Sequence, residues 1–139
     1  MVVYSGKVSV KTKGFTDIIN ITNDVHHFVS RNGCQEGQLL IFIDGSTAAI
    51  STIEYEPGLL KDLPELLEKL IPMEQGYHHD DTWHDGNGYA HLRSTLIGTS
   101  MTVPVLDGRV VLGTWQQIIL IDFDNCSRDR NVVFQFVGK

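Results

Sequence analysis

The sequence predicts an α+β fold with a largely antiparallel sheet system, and three observations carry that prediction. Alternating or short continuous apolar runs recur from one end of the 139-residue chain to the other, the mark of many strands. Three segments with helical spacing or helix-end signals lie among them, around residues 22–33, 59–70 and 87–98. Asp107-Gly108 separates two apolar runs and is the dipeptide of a two-residue hairpin turn. The length suits a single domain, 1–139, large enough for a real hydrophobic core.

Taken in order, residues 2–11 alternate apolar and polar and read as a strand. Gly14 breaks it, and residues 15–21 read as a second strand paired nearby. Thr22 is placed to cap a helix, with Asp24 in its first turn, the stripe Val25, Phe28, Val29, and Asn32-Gly33 as its stop. The run QLLIFI, 38–43, is of the kind found in strands buried on both faces, and Asp44-Gly45 turns into a further strand over 47–55. Leucines at 59, 60, 63, 66, 67 and 70 keep a helical period, but Pro64 predicts a kink or a restart there with Asp62 as its cap. Residues 72–88 show almost no apolar periodicity and read as a long loop, either functional or disordered. Asn87 is placed to cap a short helix through Leu96 that stops at Gly98. The last third is β-rich: the hairpin about Asp107-Gly108, the strand QQIILIDF at 116–123, a polar turn over 124–130 and a closing strand over 131–137.

Composition excludes several functions. A formal charge of −6 gives no basic surface for nucleic acid or an anionic bilayer. No apolar run is long enough to span a membrane, and the N-terminal residues carry no basic segment followed by an apolar one, so a cytoplasmic protein is expected. Cys34 and Cys126 stand far apart in no metal-binding spacing and are expected as free thiols.

Chemistry concentrates in residues 77–100. This stretch holds four of the six histidines (His78, His79, His84, His91) and the acids Asp80, Asp81 and Asp85. Imidazoles and carboxylates bind divalent metals or move protons near neutral pH, and crowding them costs stability through repulsion and desolvation. That cost points to a site.

The residues Asp85-Gly86-Asn87-Gly88, His91, Ser94, Leu96, Gly98, Ser100 and Pro104, then Gly108 and Leu112-Gly113-Thr114-Trp115-Gln116, form a pattern that resembles the YjbQ family. The resemblance extends through Gly45-Ser46-Thr47-Ala48-Ala49-Ile50, Glu54, Arg128 and Arg130, nearly the whole chain. Members are small proteins sometimes labelled secondary thiamine-phosphate synthases. The resemblance implies a β-sandwich-like α+β core, a homotrimer with sites near subunit interfaces, a divalent metal held by histidines, and the joining of a pyrimidine diphosphate to a thiazole phosphate. Two departures stand out. Many relatives have a histidine where this chain has Gly45, and a G-P-R-x-R sequence where it reads Cys126-Ser127-Arg128-Asp129-Arg130.

The candidate metal ligands are His79 and His91, with Asp85 as a third ligand or as the group that orients an imidazole; zinc is the expected ion. Against this stands a reading of solvated loop histidines beside an ordinary Asp-Gly-Asn-Gly turn. The catalytic assignment falls on Glu54, Gln116 and Arg93. Glu54 is either a general base or a strand-end residue facing water. A small phosphorylated molecule is the expected partner, held by Ser46, Thr47, Ser94, Trp115, Arg128 and Arg130. Trp115 either walls an aromatic ring or packs in the core, and the arginines either clamp phosphate or are surface charge. Three functions compete: a metal-associated enzyme acting on a phosphorylated heterocycle, a metal-assisted hydrolase, and a trimeric metal- or ligand-binding protein that catalyses nothing.

Overall fold

A computed structural model describes residues 1–139. The chain runs β1 (Val2–Thr12), β2 (Asp17–Asn20), α1 (Thr22–Asn32), β3 (Gly37–Ile43), β4 (Ala48–Glu54), α2 (Pro57–Leu70), α3 (His78–Trp83), α4 (Gly88–Ile97), β5 (Ser100–Leu106), β6 (Arg109–Val110), β7 (Gln116–Asp122) and β8 (Arg128–Gly138). The strands form a five-stranded sheet, β1-β8-β3-β5-β6, and a three-stranded sheet, β2-β7-β4. All neighbouring strands are antiparallel. The predicted class is therefore the observed one.

Side-chain alternation explains the layering. In β7, Ile118 and Leu120 face the five-stranded sheet and α1, in a core with Val25, Phe28, Leu39, Ile41 and Phe134. Ile119 and Ile121 face the other way, against Leu67 of α2 and Tyr89 and Ala90 of α4. The small sheet is thus covered on both faces, so β7 is one continuous apolar run. Fully burying each of these isoleucines and leucines contributes about 1.5–3 kcal/mol. The run 38–43 differs from its expectation: Leu39, Ile41 and Ile43 of β3 are buried while Gln38 and Phe42 are exposed, so only one face is covered.

Several local expectations need correction. The segment after β1 pairs with β7 in the other sheet, not with its sequence neighbour. Thr22 is the first helical residue rather than the cap; its Oγ1 accepts from the Ile118 N–H at 2.9 Å, pinning α1 to β7. Pro64 neither restarts nor divides α2, which runs through it, and the cap is Glu56 rather than Asp62. Its carboxylate accepts from the Gly58 and Leu59 N–H groups at 2.9 and 2.6 Å. The loop expected over 72–88 contains α3, a fourth helix. The hairpin turn at Asp107-Gly108 has positive φ at both residues (50° and 74°), the type I′ geometry its sequence demands. Cys34 and Cys126 are free thiols, the first buried and the second exposed. No helix is long and apolar enough to cross a membrane.

Candidate functional site

The site is assembled where α3, the 84–87 turn and the start of α4 meet the Ala48–Asp122 end of the small sheet. α3 is only six residues long and buries none of them, so packing does not hold it in place. Hydrogen bonds do. Asp80 Oδ1 accepts from the Gly88 N–H at 3.0 Å, and Asn125 Nδ2 donates to the Asp85 carbonyl at 2.7 Å. Gly88 permits the close approach of α3 to α4, because a Cβ there would lie 2.7 Å from the Tyr77 Cβ. These ties bring the His79 and His91 rings to 4.4 Å between centroids, tilted by 56°. His79 Nε2 lies 3.0 Å from Asn87 Oδ1 and 3.3 Å from Asp85 Oδ1.

Behind the histidines is a buried ionic cluster. Asp122 and Asp124 are 0% and 1% exposed. Arg130 grips Asp122 with Nε at 2.7 Å and a terminal nitrogen at 2.9 Å, and Thr12 donates to the same carboxylate. Asp124 accepts from Arg128 Nε at 2.7 Å, Thr47 Oγ1 at 3.0 Å and Asn87 Nδ2 at 3.2 Å. Burial alone would push Asp124 up, yet the hydrogen bonds from the Asn125 backbone, Arg128, Asn87 and Thr47 outweigh it and hold the carboxyl at about 2. Asp122 is likewise lowered, its desolvation overcome chiefly by Arg130 and Thr12. The front of this cluster is an open pocket of about 340 Å³ lined by Ser46, Thr47, Asp85, Asn87, His91, Asp124, Arg128 and Arg130, with Gly45 at its edge. A Cβ on Gly45 would stand 2.8 Å from an Arg130 terminal nitrogen, so in this chain the guanidinium takes that space.

Of the residues singled out from sequence, His79, His91, Asp85, Ser46, Thr47, Arg128 and Arg130 come together here. The others do not. Arg93 is 1% exposed and points inward: it donates to the Ile71 carbonyl, Thr16 Oγ1 and Glu68, and stacks over Tyr89 at 5.0 Å. It braces α2 against α4 and does not reach the pocket lining. Ser94 is equally buried, its hydroxyl donating to the Ala48 carbonyl at 2.6 Å. Glu54 and Gln116 pair at the opposite end of β4–β7, six residues from the Ala48–Asp122 pair. That is ~20 Å of strand. Gln116 is committed locally to the Gly113 N–H and Thr52 Oγ1. Trp115, expected either to wall an aromatic ring or to pack in the core, is 71% exposed, in a shallow cleft with Glu54, Tyr55 and Glu56.

Two imidazoles and a carboxylate form the N,N,O donor set that zinc accepts, so the residue types fit a divalent ion. The arrangement supplies a pair with an adjacent acid; no three His, Cys, Asp or Glu side chains surround one point. The sequence reading missed Asp122, Asp124 and the side-chain role of Asn87. A signal existed for the aspartates. Asp122 and Asp124 are spaced by two, as are Arg128 and Arg130, on either side of a short polar turn, which keeps two acids and two bases close along the chain.

Fold and site together define an α+β protein of two packed sheets with a histidine- and arginine-lined surface pocket. The sequence profile of the family described as UPF0047 protein YjbQ-like matches residues 6–139, and the chain belongs to that family. It is 40% identical over 127 residues to a UPF0047 protein of Archaeoglobus fulgidus, the match covering 91% of this chain and 96% of the relative. A UPF0047 protein of Methanothermobacter thermautotrophicus is 36% identical over 139 residues, covering 100% of this chain and 95% of the relative. The fold is similar to that of a YbjQ-like protein of unknown function from Sulfolobus solfataricus, with a TM-score of 0.93 at 30% identity over 99% of each chain. A hypothetical protein from Aeropyrum pernix gives a TM-score of 0.92 at 33% identity, covering 98% of this chain and 99% of that one.

Proposed function

We propose that this protein is a metal-associated enzyme that takes a small phosphorylated molecule in the pocket lined by His91, Arg128 and Arg130, beside His79; synthesis of thiamine phosphate from two phosphorylated heterocycles is the named form of that class. The observation that carries the reading is the approach of the two imidazoles beside Arg128. That arginine uses only Nε on Asp124, so its terminal nitrogens are left to meet an anion. Ser46 adds an exposed hydroxyl at the rim.

Charge sets the order of binding. Arg128 and Arg130 are balanced by Asp124 and by Asp122 behind the pocket, so lining and backing together carry one surplus negative charge, that of Asp85. A pocket with this balance draws a cation first and an anion only afterwards. Zinc bound by His79 and His91, with Asp85 beside them, would supply a Lewis acid able to take up charge from a leaving phosphate. Arg128 then neutralises a second phosphate oxygen, and Asn87 and Asp124 keep the imidazole and guanidinium in place.

A second reading is a binding protein without catalysis. It is favoured by the distance of Glu54 and Gln116 from the pocket, which leaves Asp85 as the one accessible carboxylate there. Either reading accommodates a homotrimer, because Trp83, Leu92 and Leu96 stand 71%, 47% and 61% exposed near the site and a second copy would cover them. Light scattering at micromolar concentration tests this, and a monomer would contradict it.

The functional test is a thermal shift with zinc, inorganic pyrophosphate, or both. Zinc should stabilise the wild type, pyrophosphate should add to it only when zinc is present, and His91→Ala should lose both responses together. An unchanged response in His91→Ala would overturn the proposal. Release of pyrophosphate from a pyrimidine diphosphate by the zinc-loaded protein, with a thiazole phosphate present to accept the pyrimidine group, separates the enzyme from the binder.

A further inference from the structure

We propose that Asn87 is a positioning residue that carries the fixed charge of Asp124 to His79, holding the neutral imidazole in its Nε2–H tautomer and leaving Nδ1 as its one lone pair.

The hydrogen-bonding contacts of the Asp124 carboxylate all come from donors. Oδ1 accepts from the Asn125 N–H at 2.8 Å and from Asn87 at 3.2 Å. Oδ2 accepts from Arg128 Nε at 2.7 Å and Thr47 Oγ1 at 3.0 Å, with Arg130 at 3.7 Å. Such a carboxylate is ionised and has no proton to give. The end of the Asn87 amide facing it is therefore the NH₂ group. The amide carbonyl, necessarily at the other end, faces His79 Nε2 at 3.0 Å. A carbonyl oxygen only accepts. Asp85 Oδ1, at 3.3 Å from the same ring nitrogen, is a second acceptor. A nitrogen facing two acceptors must carry the hydrogen.

The position of Asn87 supports this assignment. It is 6% exposed, so flipping the amide would set its carbonyl against the Asp124 carboxylate with no water to intervene. It also occupies the N-cap position of α4 yet makes no side-chain bond to that helix, giving up the usual contribution of a capping asparagine. Its side chain serves the relay instead. A consequence follows that rests on the metal reading above: an ion reaching His79 would be bound through Nδ1, because approach at Nε2 would have to displace a proton and two acceptors.

The test is nitrogen-15 NMR of the full chain, metal-free and labelled at histidine, at about pH 8, above the ordinary imidazole value of about 6.5. Long-range proton–nitrogen correlations distinguish the two tautomers, and His79→Asn identifies the resonances. A single Nε2–H pattern is expected for His79, and an Nδ1–H form or an averaged mixture would overturn the proposal. Asp85→Ala, on the exposed rim, should leave the pattern intact because Asn87 still holds the ring; loss of the pattern there would show that Asn87 is not the positioning group. Asn87→Ala should convert the pattern to a mixture, and an unchanged pattern in the folded variant would likewise overturn it. Zinc should then move the Nδ1 resonance while the Nε2 proton persists; loss of that proton would contradict coordination through Nδ1. No response to zinc at any histidine would remove the metal-based function while leaving the tautomer result standing, so the two claims fail separately.

Discussion

At the Ala48–Asp122 end of the β4–β7 pair, charged groups are buried and each is met by a partner. At the Glu54–Gln116 end, residues of the same chemical types stand in water and are used locally: Glu56 caps α2, Gln116 closes its own turn, and Trp115 lies against solvent. The sheet explains the difference. α4 covers the first end, and the turn leading from β7 to β8 folds back with Asp124 inside it, so polar groups there must satisfy one another. At the second end Glu54, Trp115 and Gln116 are exposed, and water does the same work. An acid, an amide and an aromatic brought together at one end of a strand pair are therefore weak evidence of a site until something excludes solvent from them.

The largest break in this comparison should come from Asp122→Ala. It takes from Arg130, 6% exposed, the partner that accepts two of its hydrogen bonds and leaves Asp124 at 3.7 Å as its only carboxylate, and breaking a buried ion pair in this way costs about 3–5 kcal/mol. Urea unfolding measures it, and a loss under about 1 kcal/mol would mean that water reaches the cluster.

Acid should act next. Asp124 falls from an ordinary 3.8 to about 2 on folding, so its contribution is complete above about pH 5 and disappears as the pH drops through 3.8 to about 2. The shift corresponds to about 2 kcal/mol. Comparing wild type with Asp124→Asn at about pH 6 and again at about pH 2 isolates it. The stability gap between the two proteins should narrow by that amount at the lower pH, and a constant gap would contradict the assignment.

Smaller effects belong to the open end. Glu56→Ala removes the acceptor for two N–H groups of α2 and should cost about 1 kcal/mol, with the zinc response unchanged. Glu54→Gln should stay within about 0.5 kcal/mol and leave the zinc response intact, since its side chain is exposed. A lost zinc response in either variant would join the two ends into one site.

The fold was legible because its elements declare themselves locally. Alternation in β1, the type I′ dipeptide at Asp107-Gly108 and the apolar run of β7 each depend on a few neighbouring residues. The partition into two sheets did not show, since β2 pairs with β7 about a hundred residues away and nothing within Asp17–Asn20 encodes that choice. The site divides in the same manner. His79, His91 and Asp85 were visible as a local concentration of ligand-type residues. Arg93 misled because a buried arginine reads like a reactive one until its three partners, from segments 16, 68 and 71, are known. Asn87 looked like a helix cap, and only the fold shows its amide turned instead toward Asp124 and His79.

The central claim is that binding chemistry is confined to the Asn87–His91–Arg128 end of the small sheet. Its most direct test is a backbone NMR titration with zinc followed by inorganic pyrophosphate. Shifts should cluster at residues 45–47, 79, 85–91 and 124–130, with Glu54, Trp115 and Gln116 unmoved. Shifts centred on Glu54 and Trp115, or no saturable shifts at either end, would contradict it.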